Sequence, residues 1–93
     1  MATWDEGKRR RNLRLHGLDF IGAEAIWDQF TVTREDFREH YGERRWVTSG
    51  LLRNECVVLV HTERGGDDRF ISLRRADTDE TNSYLEAAGW LQP

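Results

Sequence analysis

The 93-residue chain is short of several things. It has one cysteine, Cys56, one methionine, and one proline, its last residue, Pro93. A lone cysteine excludes an internal disulfide and suits a reducing compartment. With no internal proline, repeat or low-complexity tract, nothing marks a linker, and residues 1–93 read as one domain. No apolar run approaches the roughly 20 residues of a membrane-spanning helix. The opening Met-Ala-Thr-Trp-Asp-Glu lacks the apolar stretch of a signal peptide. The expectation is a soluble, cytoplasmic protein.

Catalytic signatures are scarce too. The three histidines form no His-x-x-x-His pair, and the chain has no cysteine pair and no clustered carboxylates, so no metal site is expected. There is no glycine-rich phosphate loop and no Gly-x-Ser-x-Gly elbow. Metalloenzyme, nucleotide hydrolase and serine hydrolase readings lose support, and no cofactor is implied.

What is present is charge, at 33% of residues, and arginine above all: 13 of the 14 basic residues. Arginine offers a planar, permanently charged fork suited to phosphate, whereas lysine is a more strongly hydrated point charge. The net charge of -3 hides a segregation. Residues 1–16 carry five basic and two acidic side chains, and residues 44–75 carry seven and four. The excess acid lies in residues 17–43 and 76–93. Such local basic surfaces steer polyanions whatever the total. Four Trp, four Phe and two Tyr must supply much of a modest core.

The patterning predicts a short edge strand over 2–4, then a helix over 6–16 with Asp5 as N-cap and Gly17 as its stop. That helix has little apolar surface beyond Leu13 and Leu15, and its outside is Lys8, Arg9, Arg10, Arg11 and Arg14. A second helix is expected over 20–30, where Phe20, Ala23, Ile26, Trp27 and Phe30 recur at three- and four-residue spacing. The period then falls to two. Strands are expected over 31–37, 44–52, 55–64 and 69–75, with turns around Gly42, at Arg53-Asn54 and at Gly65-Gly66-Asp67-Asp68. Asp77 and Glu80 fit a capping box for a last helix over 78–91, with Tyr84, Ala88 and Leu91 on one face. The fold class is α+β: two N-terminal helices on a mostly antiparallel sheet of four to five strands, and a C-terminal helix.

In the hairpin, alternation puts Val58, Val60, Thr62 and Arg64 on one face of their strand, and Val57, Leu59, His61 and Glu63 on the other. On its partner Ile71, Leu73 and Arg75 are expected to share a face, opposite Phe70, Ser72 and Arg74. Only one of Arg74 and Arg75 can therefore join Arg64 on one surface. Charge at strand ends also serves simple solubility, with Glu63, Asp67 and Asp68 as ready partners. His16 reads as a helix end, and Glu43 as either a general base or an ion-pair partner for an arginine.

The succession "WDEGKRRRNLRLHGLDF", "YGERRWVTSG", "HTERG" and "ISLRRA", followed by a helix bearing Glu80 and Tyr84, resembles the BrnT toxins of bacterial type II toxin–antitoxin systems. The resemblance runs from Trp4 to about Tyr84. Its matching positions are Lys8, Asn12, His16 and Gly17, then Gly42, Glu43 and Arg45, then Thr62 and Arg64, and finally Ser72, Arg74, Arg75 and Ala76. Leu15 departs from the lysine frequent in the family before its His-Gly.

The resemblance implies a RelE-like fold and a ribonuclease that arrests translation. It implies neutralisation by a BrnA-type antitoxin with a ribbon-helix-helix domain, through which the complex binds operator DNA. Metal-independent cleavage needs a base for the 2′-hydroxyl, stabilisation of the phosphorane, and an acid for the leaving oxygen. Arginine suits only the second task. Arg64 with Arg74 or Arg75 is the expected phosphate clamp, and Glu43, His61 or Tyr84 the expected base or acid. Lys8, Arg9, Arg10, Arg11, Arg14, His16 and Arg45 are expected to bind RNA or the antitoxin. A non-catalytic module whose arginine face docks an acidic protein is the rival reading, and poisoning of a DNA-handling enzyme a third.

Overall fold

Two tight turns reverse the chain between its three longest strands. Arg53-Asn54 (φ 52° and 65°) and Gly65-Gly66 (φ 59° and 86°) are two-residue connections in left-handed conformation, the twist that antiparallel neighbours require. The computed structural model describes residues 1–40 and 42–90. In it β1 (Ala2–Trp4) leads to helix α1 (Glu6–His16), a 3-10 helix (Ala23–Asp28), and strands β2 (Val32–Glu35), β3 (Trp46–Leu52), β4 (Glu55–Arg64) and β5 (Asp67–Arg75). Helix α2 (Thr78–Ala87) follows. The last helix stops at Ala87, short of the expected residue 91, because Gly89 at φ 80° turns the chain out of the helix. Tyr41 and Leu91 lie outside the described residues.

The sheet has five strands in the order β1-β5-β4-β3-β2. It is mixed: β1 runs parallel to β5, and the other neighbours are antiparallel. A single α-helix, not two, precedes the meander. Residues 20–22 form a turn in which Asp19 Oδ1 accepts from the Ile21 N–H at 3.0 Å, and Gly22 takes φ 82°. The short stretch left before β2 winds as a 3-10 helix. The three-residue steps from Phe20 to Ala23 to Ile26 match its period, and all three are buried. Trp27 and Phe30, at four-residue steps, keep exposed surface.

Phe20, Ala23 and Ile26 pack on Val57, Leu59, Phe70 and Leu73 across one face of the sheet, the core face. Trp4 stacks on Phe70 with ring centroids 6.0 Å apart. Burial of such side chains contributes about 1.5–3 kcal/mol each. Gly50 is required by this packing, because a Cβ there would lie 2.7 Å from Ile26 Cγ1. The β4–β5 register shifts between Val60, opposite Ser72, and His61, opposite Phe70. Ile71 is the extra residue of a bulge. It moves Phe70 onto the face of Leu73 and Arg75, contrary to strict alternation.

Helix α1 lacks an apolar stripe because a hydrogen-bonded amide attaches it instead. Asn12 is buried, whereas Leu13 and Leu15 are exposed. Asn12 Oδ1 accepts from the Leu73 N–H at 2.9 Å, and its Nδ2 donates to the Leu73 C=O at 2.8 Å and the Leu18 C=O at 3.0 Å. Strand β1 pairs β5 only at Asp68, Arg69 and Phe70, so Asn12 stands in for a neighbouring strand beyond them. Arg9 adds ion pairs to Glu6 and Asp19.

His61 is buried on the core face, in edge-to-face contact with Trp27 and 2.7 Å from Thr48 Oγ1. Burial pushes its imidazole below the ordinary value of 6.5, against a weaker upward pull from Asp68.

Two outcomes follow. Asn12→Ala leaves the Leu73 N–H and C=O without partners at a buried site, and is expected to cost about 2–4 kcal/mol in urea unfolding. For His61, the unfolded chain takes up the proton first as pH falls. The stability of the folded state is therefore full above about 6.5 and declines below it, toward the depressed native value. His61→Gln is expected to flatten that decline between about pH 7.5 and 5.5, read from the urea midpoint at each pH.

Candidate functional site

The opposite face of the sheet is only partly covered, by α2, and it gathers arginines. Asp77 opens α2: its Oδ1 accepts from the Glu80 N–H at 2.7 Å, and Glu80 Oε1 accepts from the Asp77 N–H at 2.9 Å. That fixed carboxylate then receives the Arg74 fork, with Nη1 at 2.7 Å and Nη2 at 2.8 Å. The Arg74 hydrogen bonds, then the Asp77 amide, hold the Glu80 carboxyl down at about 2. Arg34 of β2 adds a weaker pull on Glu80. Arg38, paired with Asp36 at 2.7 Å, is near enough to oppose the charge of Arg74. Two guanidiniums thus act on the Glu80 carboxylate, and a third, Arg38, lies within electrostatic reach of Arg74. Beside them a cavity of about 310 Å³ opens between α2 and the sheet, lined by Arg34, Ser49, Val58, Glu80 and Tyr84 among others.

A second cluster lies at the hairpin end of the same face. Glu43 sits 3.4 Å from Arg64 Nη2 and 3.6 Å from Arg45 Nε. Thr62 Oγ1 donates to the Arg44 C=O at 2.5 Å and fixes the strand mouth that carries them. Glu43 and Arg45 are largely covered, while Arg64 is open to solvent. Arg74 pairs with Val58 in the sheet, and Arg64 lies six residues further along β4. At about 3.3 Å per residue, the backbone rows of Arg74 and Arg64 are about 20 Å apart along the strand.

The structure therefore brings Glu43, Arg45 and Arg64 together but does not close the expected clamp. Arg74 shares their face at a distance. Arg75 points to the core face, where Nε donates to Glu55 at 2.6 Å and Nη1 to the His16 C=O at 2.7 Å, tying β5 to the end of α1. His61 lies on that core face too. Tyr84 is buried beneath α2 and donates to the Phe30 C=O at 2.6 Å, its hydroxyl raised above the ordinary range by burial. On α1, Arg9 and Arg10 are engaged by Glu6, while Arg11 and Arg14 project outward near Lys8. Sequence reading passed over Arg34, Arg38 and the grip of Glu80 on Arg74. Alternation from Val32 to Arg34 was the available signal for the first. Nothing local marks the others, which meet across strands.

Chemically, this face presents guanidiniums held in fixed orientation by carboxylates, suited to successive phosphates. A carboxyl held down at about 2 makes Glu80 a poor base at neutral pH, and its two hydrogen bonds fix the direction of the Arg74 fork. Glu43 is the expected proton carrier that lies among arginines.

The family described as the ribonuclease toxin BrnT of type II toxin–antitoxin systems matches residues 4–80. No curated protein matches the chain. The family match runs from Trp4, the last residue of β1, through α1 and the whole meander to Glu80 near the start of α2, and so takes in both arginine clusters. The chain belongs to the BrnT ribonuclease toxins of type II toxin–antitoxin systems.

Proposed function

We propose that this toxin is a metal-independent endoribonuclease that arrests translation, and that an RNA strand lies along β4 on the α2 face. In this reading the fold is RelE-like. Arg64 stabilises the phosphorane, Glu43 takes the proton of the 2′-hydroxyl, and Arg74, with Arg34 and Arg38, holds a phosphate several nucleotides away. Proton transfer balances when the leaving 5′-oxygen takes a proton from water or from the protonated Glu43. The products are a 2′,3′-cyclic phosphate and a 5′-hydroxyl.

The observation that carries this reading is the carboxylate of Glu43 between two arginines, on a face whose other end bears three more. The antitoxin, in the same proposal, is a BrnA-type ribbon-helix-helix protein that brings operator DNA to the complex. The outer cations of α1, Lys8, Arg11 and Arg14, lie on a separate element and supply a surface for RNA or for that antitoxin.

Arg64→Ala is expected to lower kcat on an RNA oligonucleotide by 10²- to 10³-fold, by analogy with loss of one oxyanion donor. Arg74→Ala is expected to act mainly on KM. Arg75→Ala, on the far face, is expected to leave cleavage per folded molecule intact, with assays run in chelator and products read by end-group analysis. Unchanged cleavage by Arg64→Ala sinks the assignment, and intact RNA at high protein excess favours a non-catalytic module. In cells, induced expression is expected to halt amino-acid incorporation before thymidine incorporation, and the reverse order points to a DNA-handling target.

A further inference from the structure

The core face carries a second, oppositely charged site that RNA binding does not use. Beside His61 the sheet leaves an open recess of about 410 Å³, lined by Trp27, Thr33, Trp46, His61, Glu63 and Asp68. Glu63 and Asp68 are directly opposed across β4 and β5. Like charges in that position repel and destabilise a sheet. Neither is paired with a lysine or arginine by any ion pair among the described residues, and Asp68 has only His61 Nδ1, at 3.8 Å.

The imidazole supplies an independent sign of a missing ligand. Its side chain is 7% exposed, and Nδ1 has no hydrogen-bond partner among the described residues. Nε2 is spent on Thr48 Oγ1 at 2.7 Å, which in turn meets Thr33 Oγ1 at 2.8 Å. A buried nitrogen left unmade carries a desolvation cost that a ligand atom would remove. In the tautomer that donates from Nε2 into the threonine pair, Nδ1 carries a lone pair on the Asp68 side of the ring. Two indoles complete the walls, and Trp46 already accepts one guanidinium, that of Arg44, 4.7 Å from its ring centroid. Arg44 is itself paired with Glu35 at 2.7 Å.

We propose that this recess receives a guanidinium group, the side chain of an arginine presented by a partner polypeptide. A planar cation with several N–H donors can bond Nδ1 and a carboxylate together while lying against an indole. An ammonium has the charge without the plane. A metal ion is a poorer fit, because no three His, Cys, Asp or Glu side chains group to hold one among the described residues. The site faces away from Arg64 and Arg74, so a protein can occupy it whether or not the opposite face cleaves RNA.

The test is an NMR titration of the intact chain with N-acetylargininamide and with a Gly-Arg-Gly peptide. N-acetyllysinamide and N-acetylleucinamide serve as controls. The arginine probes are expected to shift the Trp27 and Trp46 indole signals saturably, and to move the His61 Nδ1 resonance toward a hydrogen-bonded acceptor. Lysine is expected to bind more weakly and leucine not at all. Glu63→Gln and Asp68→Asn are each expected to weaken binding roughly threefold to fivefold, with melting temperature confirming that each variant is folded. No saturable shift in the parent protein overturns the proposal, as does parental affinity in both variants. Binding of the free amide without the peptide overturns the protein-partner assignment.

Discussion

One carboxamide fastens helix α1 to the edge of β5. Asn12 offers the Leu73 backbone the donor and acceptor that a neighbouring strand would have offered, and does so from a helix. Because β1 is three residues long, the far part of β5 would otherwise face α1 with unsatisfied peptide groups in a dry setting. The helix needs no apolar stripe when its docking is polar, and its outer surface is left free to be basic. The cationic character of α1 and the burial of a single asparagine are thus one design decision. Arg75, reaching the last carbonyl turn of α1 from β5, closes the same joint from its other end.

The arginines fall into two populations with different work. Arg9 and Arg75 are structural: they bridge elements, and their carboxylate partners lie on different segments or on the first turn of α1. Arg64 and Arg74 lie on the α2 face and are aimed by Glu43 and Glu80. An ion pair in such a place costs an incoming phosphate some competition, but it removes the rotamer entropy that a loose arginine would lose on binding. Glu80 shows how tightly such an aim can be set, since the same carboxylate caps α2 and grips the fork. The start of the helix and the orientation of Arg74 are therefore coupled.

Much of the fold was legible because it was written in local chemistry. Asp5 and Gly17 bounded α1, Asp77 and Glu80 began α2, and the two short turns set β4 at Glu55–Arg64. Two features were not local. The stretch from Phe20 to Phe30 has the composition of an α-helix, yet Asp19 and Gly22 spend its first turn on a reversal, and the remainder is too short for more than a 3-10 turn. The bulge at Ile71 leaves no mark in a pattern of alternating residues. The site was harder. Pairings such as Glu80 with Arg74, or Glu43 with Arg64, bring together residues from separate elements, and composition says only that arginines and carboxylates abound. His61 was singled out as a proton carrier from its residue type. Its burial beside Trp27 depends on packing that no spacing displays.

The extra residue in β5 also divides the hairpin into two phases. On the α1 side of it, Leu73 and Arg75 are in step with Val57 and Leu59, and toward the tip Phe70 and Asp68 are in step with His61 and Glu63. Without that offset, parity would send Phe70 to the arginine face and carry Arg69 into the aromatic layer beneath Trp4. The tip is thus indexed separately from the body of the sheet. Changes of chain length there by an even number of residues preserve which side each group looks toward, while an odd change exchanges the two chemistries of the protein at a stroke.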